Sequence, residues 1–231
     1  MRTRIENITI LCCDKDLTTY YNSSLTFEND RIIAINENVD YDECIDGKNG
    51  ILIPGFVNTH THLSMIPFRS LQDDLYDRLR KFLFPLEKES MTHELALKSA
   101  KIGVIESLLS GVTTFMDMYY YADGLAQTYD EMGVRAVVAQ NMINQSMCDA
   151  KDEVEAFELA KEFYYKWKDH PRVIPALGPH GTTTLTSDTL KKISKFSKEN
   201  NILVSMHVAE MDDEMAYFRN QQTTPIQYLE S

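Results

Sequence analysis

No apolar run in this 231-residue chain approaches the ~20 residues needed to cross a bilayer, so no membrane-spanning helix is expected. The opening MRTRIENITI has two arginines but no continuous apolar stretch behind them, and no secretory signal is read there. Positive charge is in deficit. Against 35 Asp and Glu there are 23 Lys and Arg, a net charge of −12, and nucleic acid or an anionic membrane surface would repel such a chain. Cysteine is scarce as well: Cys12, Cys13, Cys44 and Cys148 make neither a CxxC pair nor a zinc-ribbon spacing. A reduced, cytoplasmic protein is the expectation. Internal repeats and low-complexity segments are also absent.

What remains is an ordinary globular composition, 43% hydrophobic and 25% charged, with enough apolar material for a core. Residues 3–54 read as short strands (RIENITILCC, NSSLTFEND, RIIAINEN, ECIDGKNGILI) with turn signals at Asn29-Asp30 and Gly47. After Pro54 strand and helix alternate. A helix is predicted over 93–110, with Leu95, Ile102, Ile105 and Leu109 on one face, Thr92 as N-cap and Gly111 as stop. Strands follow at 112–118, 134–141, 172–180 and 201–210. Between them lie helices near 123–132, over 152–168 with Val154, Phe157, Ala160, Tyr164 and Trp167 inward, and after a cap at Ser187 or its neighbour. With the strand leading into His60, five βα-type units are expected, hence an α/β fold with a parallel sheet, doubly wound or barrel-like. The expected domains are 1–54 and 55–231.

Histidine carries the chemistry. Of six, His60, His62, His180 and His207 fall at predicted strand ends, while His93 and His170 sit near helix ends and are expected to be solvated. Side chains i and i+2 share a face of a strand, so His60 and His62 in NTHTHLSM project together. Two such imidazoles can hold one divalent ion, or can be a surface or hydrogen-bonded pair. Four histidines at strand ends favour a single cause.

The ordered set PGFVNTHTH, FRSLQDDL, FPLE, GVTTFMDM, GPH and HVAE resembles the amidohydrolase superfamily, within it the cytosine-deaminase-like branch of S-adenosylhomocysteine/methylthioadenosine deaminases and triazine chlorohydrolases. The resemblance runs over essentially the whole chain. It implies that His60, His62 and His207 bind one divalent metal ion, zinc in the first place and iron as the alternative. Glu210 is implied as the acid/base, His180 as a substrate contact, and Glu87 as a group that holds ribose hydroxyls. A bound divalent ion lowers the pKa of water to about 7, which is why such a set suits hydrolysis. On the residues alone, Glu210 could equally be a solvated acid heading the helix that begins EMDDEM, and Glu87 an exposed charge. Asp73 and Asp74 in LQDDL read as a solvated loop or helix start. Asp117 could orient a site group, pack or cap, and Tyr119–Tyr121 could line a pocket or cover the sheet.

The implied fold is an incomplete (β/α)₈ barrel preceded by part of a small β-sandwich. The implied function is deamination of an aminated heterocycle, a small-molecule substrate. The alternatives are a chlorohydrolase-like reaction on a related ring, or a catalytically incomplete half site. The chain departs from the deaminase pattern at PHGTTT, where PHxPYT is common, and at AQNM, where some members carry an arginine. Residues 55–231 also fall short of the ~250 of a complete barrel. The chain therefore reads as C-terminally truncated, with little turnover expected from it alone and association with a second chain or copy, as in a homo-oligomer, as a secondary expectation.

Overall fold

Two stretches fold as separate units, Met1–Gly55 and Phe56–Ser231, in the computed structural model, which describes residues 1–231. In the first, β1 (Arg2–Leu11), β2 (Thr19–Glu28), β3 (Arg31–Ile35) and β4 (Glu43–Leu52) form one four-stranded sheet in the order β3-β2-β1-β4. β2 runs antiparallel to β1 and β3, and β4 runs parallel to β1. The β2–β3 turn is tight because Asn29 adopts φ 54°, a left-handed conformation that asparagine tolerates better than most residues. Ile8, Ile10 and Leu25 form its small apolar cluster.

The second unit holds β5 (Phe56–Thr61), β6 (Val112–Tyr119), β7 (Arg135–Met142) and β8 (Val173–Pro179), a four-stranded sheet in sequential order with every neighbour parallel. Parallel neighbours need long crossovers, and helices supply them. After a 3₁₀ turn at Leu63–Phe68 come α1 (Phe84–Ser90) and α2 (His93–Leu109), which lead from β5 to β6. α3 (Ala122–Glu131) and α4 (Glu153–Trp167) make the next two crossovers, and α5 (Ser187–Asn200) follows β8. α6 (Asp212–Asn220) and α7 (Pro225–Glu230) end the chain. No helix is long and apolar enough to cross a membrane. The main core, with Phe115, Val138, Val173, Leu125, Tyr129 and Phe163, lies between sheet and helices, while Met118, Ala139 and Ala176 cluster on the sheet's other face.

Local signals placed most boundaries. Thr92 caps α2 by accepting from Leu95 N–H at 3.1 Å, and Thr186, the neighbour of Ser187, caps α5. Gly111 ends α2 at φ 82°, which a Cβ would disfavour.

Three expectations change. Residues 201–210 do not form a fifth regular strand. His207 N–H bonds the His180 carbonyl and Leu177 N–H the Leu203 carbonyl, each at 2.9 Å, but only isolated bridges result. This segment is paired on one side only, and Leu203 and Val204 stay half exposed, so little enforces a continuous ladder. On α2 the buried residues are Ala96, Ser99, Ala100, Gly103 and Val104, while Ile102, Ile105 and Leu109 face outward. Small residues win because the helix packs closely on the 3₁₀ turn: a Cβ on Gly103 would lie 3.1 Å from Ile66 Cδ1 and Leu63 Cδ2. On α4, Phe163 is buried and Val154 is not.

Candidate metal and proton-transfer site

His60 is the penultimate residue of β5 and His62 follows the strand directly, on the same side as the period-2 rule requires; their rings lie 5.1 Å apart. His180 follows β8, and His207 lies on the segment bridged to it. The His207 ring is 5.1 Å from His60, 5.2 Å from His62 and 4.8 Å from His180. Four histidines separated widely in sequence thus converge at the C-terminal end of the parallel sheet. That end is where the backbone turns from strand to loop, and where sites on parallel α/β folds form.

The backbone fixes which nitrogen each ring presents. His62 Nδ1 lies 2.6 Å from the Met118 carbonyl, and His207 Nδ1 lies 3.1 Å from the His180 carbonyl. A carbonyl only accepts, so each Nδ1 carries the proton and each Nε2 is left with a bare lone pair. Those two Nε2 atoms face each other at 3.3 Å. Burial, followed by the neighbouring His207 and His60, lowers the His62 pKa to about 4, so the His62 ring is neutral at neutral pH. Ligand nitrogens at ~2.0–2.1 Å around a tetrahedral zinc sit roughly 3.3–3.4 Å apart, so the observed spacing fits a divalent ion. The ligand atoms of His60, His62 and His207 all lie within 4.8 Å of one another, as do those of His180, His207 and Glu210. Burial, then His207 and His62, lowers His180 to about 3 and keeps it neutral.

Glu210 lies three residues past His207, exposed, beyond a backbone reversal at Ala209 (φ 58°). Its N–H donates to Glu214 Oε2 at 2.8 Å, and Thr182 donates its hydroxyl to Glu214 Oε1. Arg80 pairs with both carboxylate oxygens of Asp213. Sequence reasoning missed Glu214 and Thr182, because the acids of EMDDEM were read together as partners of the helix dipole. No sequence pattern signals the contact, because it joins a main-chain N–H before the helix to a side chain within it.

Glu87 is buried, not an exposed charge: 3% of its surface is accessible and the Tyr119 hydroxyl donates to Oε1 at 2.7 Å. Burial pushes its carboxyl up to about 7. One turn earlier on α1, Phe84 packs edge-on against the His180 ring at 5.2 Å, which ties Glu87's helix to the histidine cluster. Asp117, left open between orienting and packing, is fully buried and accepts from Leu63 N–H at 3.0 Å, and Tyr129 donates to its other oxygen. It thereby pins the backbone just past His62, and burial raises it to about 6. Asp73 and Asp74 are exposed, Asp73 pairing with Arg78 at 3.3 Å. Tyr119 and Tyr120 are buried, and Tyr121 covers the start of α3 in a left-handed conformation. His93 is exposed, as expected, whereas His170 is half-buried and accepts from Val173 N–H at 3.0 Å.

Known proteins resemble this chain to different degrees. The 5'-deoxyadenosine deaminase of Methanocaldococcus jannaschii is 35% identical over 200 residues, covering 84% of this chain and 47% of that protein. A 5-methylthioadenosine/S-adenosylhomocysteine deaminase of Aquifex aeolicus is 35% identical over 190 residues, covering 81% of this chain and 44% of that protein. The chain spans about half the length of the curated relatives it matches. Among solved structures, a zinc-bound adenosine deaminase from Xanthomonas campestris superposes with a TM-score of 0.92 at 24% identity, over 99% of this chain and 54% of that one. A triazine hydrolase from Arthrobacter aurescens superposes at 0.86 with 16% identity, over 99% and 57%, which is likeness of fold. The amidohydrolase family matches residues 51–228, a stretch that holds all four converging histidines and Glu210, and the chain belongs to that family.

Proposed function

We propose that this site holds one divalent ion on His60, His62 and His207, zinc in the first place, and serves hydrolytic deamination of an aminated heterocycle. The observation that carries the reading is the pair of bare Nε2 atoms 3.3 Å apart. When bound, the ion would supply Lewis acidity and lower the pKa of water to about 7. Glu210 moves both protons of the attacking water in turn, the first to the ring nitrogen and the second, from the added hydroxyl, to the departing amine, so that water and amine become ring oxygen and ammonia. His180, kept neutral by burial, donates to or accepts from the substrate beside the reacting carbon. Glu87, anchored by Tyr119, offers its second oxygen to a hydroxyl of the substrate. Relatives named as deaminases of 5'-deoxyadenosine and of 5-methylthioadenosine/S-adenosylhomocysteine make 6-aminopurine nucleosides the first class to test.

We read the parallel sheet as part of a (β/α)₈ barrel over residues 55–231 and the first sheet as part of a β-sandwich over 1–54. The likeness of fold to the adenosine deaminase supports this. Four free thiols suit a reducing, cytoplasmic setting. The test is metal analysis combined with ammonia release from 6-aminopurine nucleosides, aminopurines, pterins and aminopyrimidines. The expected result is one bound ion per chain and slow release that Glu210→Gln abolishes without loss of the ion. Slow release is expected because active sites of this fold are built from eight βα loops, and the parallel sheet here has four strands. A chain that takes up no divalent ion, or release unaffected by Glu210→Gln, refutes the reading.

A further inference from the structure

Glu210 sits on irregular backbone, and its side chain is exposed, so nothing in a strand or helix fixes where its carboxylate points. The chain is anchored at His207, whose N–H bonds the His180 carbonyl at 2.9 Å. It then reverses at Ala209 with φ 58°, a conformation disfavoured for any residue with a Cβ. Such a turn persists only where its surroundings hold it.

What holds it is a buried carboxylate. Glu214, 6% exposed, accepts the Glu210 N–H on Oε2 at 2.8 Å. Its Oε1 accepts the hydroxyl of Thr182, itself 4% exposed. Thr182 lies two residues after His180, in the loop where Thr184 Oγ1 approaches His180 Nδ1 at 3.4 Å. One carboxylate therefore bridges the loop that carries His180 to the turn that carries Glu210. Ordinary helix capping does not account for it. Glu214 is the third residue of α6, and a capping box would return its carboxylate to the N–H of the N-cap, Met211. The carboxylate reaches one residue further, to Glu210.

We propose that Glu214, oriented by Thr182, is a positioning residue that sets the direction of the Glu210 carboxylate by locking the Ala209 turn. The proposal rests on the reading of Glu210 as the proton carrier, and the two are separable by experiment. In the ¹⁵N-labelled 231-residue chain, the Glu210 amide should be protected from hydrogen exchange. Glu214→Ala should speed its exchange by roughly tenfold or more, the scale of a lost hydrogen bond to a charged acceptor, while the His207 amide keeps its protection. Glu214→Gln should retain most of the protection, and Thr182→Val, which removes only the hydroxyl, should lose it several-fold.

In ammonia release, Glu214→Ala should lower kcat with KM and zinc content unchanged, and Glu214→Gln should restore it. Equal exchange at Glu210 in wild type and Glu214→Ala overturns the proposal, as does an unchanged kcat in Glu214→Ala where Glu210→Gln is inactive. Should Glu214→Ala not fold, Thr182→Val decides: unaltered exchange at Glu210 overturns it. Release that survives Glu210→Gln would instead defeat the reading of Glu210, with the exchange data still judging the clamp.

Discussion

Raising the pH should destabilise this chain through Glu87. Glu87 is 3% exposed, and the hydrogen bond from the Tyr119 hydroxyl at 2.7 Å does not offset the loss of water. Burial therefore moves its pKa from 4.5 to about 7. A carboxyl with a raised folded pKa keeps its proton in the folded chain where the unfolded chain has already released it. Its contribution is fully present below about 4.5 and is lost as pH rises through about 7. At ~1.4 kcal/mol per pKa unit the shift amounts to roughly 3 kcal/mol, of which about 2.5 falls between pH 5 and pH 8. Glu87→Gln keeps the shape and an acceptor for Tyr119 but has no proton to lose. Urea unfolding of both proteins at pH 5 and pH 8 isolates the effect, because Asp117, which burial also raises to about 6, contributes alike to both and cancels. Glu87→Gln should gain about 2.5 kcal/mol on wild type between the two pH values, with unchanged m-values. Parallel pH dependence in the two proteins would mean that Glu87 is solvated or paired in a way that contradicts its burial.

Zinc at a hundredfold excess over its dissociation constant should stabilise the chain by about 2.7 kcal/mol, and His62→Ala should abolish that gain in a thermal-shift series. Thr92→Ala removes the acceptor for Leu95 N–H and should cost about 1 kcal/mol in urea unfolding, a loss that Thr92→Asp largely avoids. Gly103→Val forces branched carbons against Leu63 and Ile66 and should cost about 1–3 kcal/mol; an unchanged midpoint would show that the contact between α2 and the 3₁₀ turn is loose.

The pattern of this chain made much of its fold legible for local reasons. Thr92, Gly111 and Asn29 act through their own backbone, so their roles can be read where they stand. His60 and His62 could be paired from the two-residue period alone. The inward face of α2 could not be read this way: how near a helix approaches its neighbour decides between Ile102 and Gly103, and that distance is set by residues some 40 positions upstream. Glu87 was ambiguous in FPLEKES because burial of a carboxyl depends on what covers it, here a strand 32 residues on. The partners that fix the histidine tautomers are main-chain carbonyls of Met118 and His180, and a carbonyl has no signature in a sequence.

His62 and His207 meet across 145 residues of chain. An ion shared between them would act as a cross-link, tying the end of the first parallel strand to a segment that ordinary strand pairing holds on one side only. Closing a loop of that length by a disulfide removes on the order of 5 kcal/mol of unfolded-chain entropy in the polymer estimate. A metal clip acts on the same freedom. The ion would thus be a fastener for the irregular 202–207 segment as well as a reagent, and metal removal would loosen the turn that carries Glu210 along with the ligands themselves.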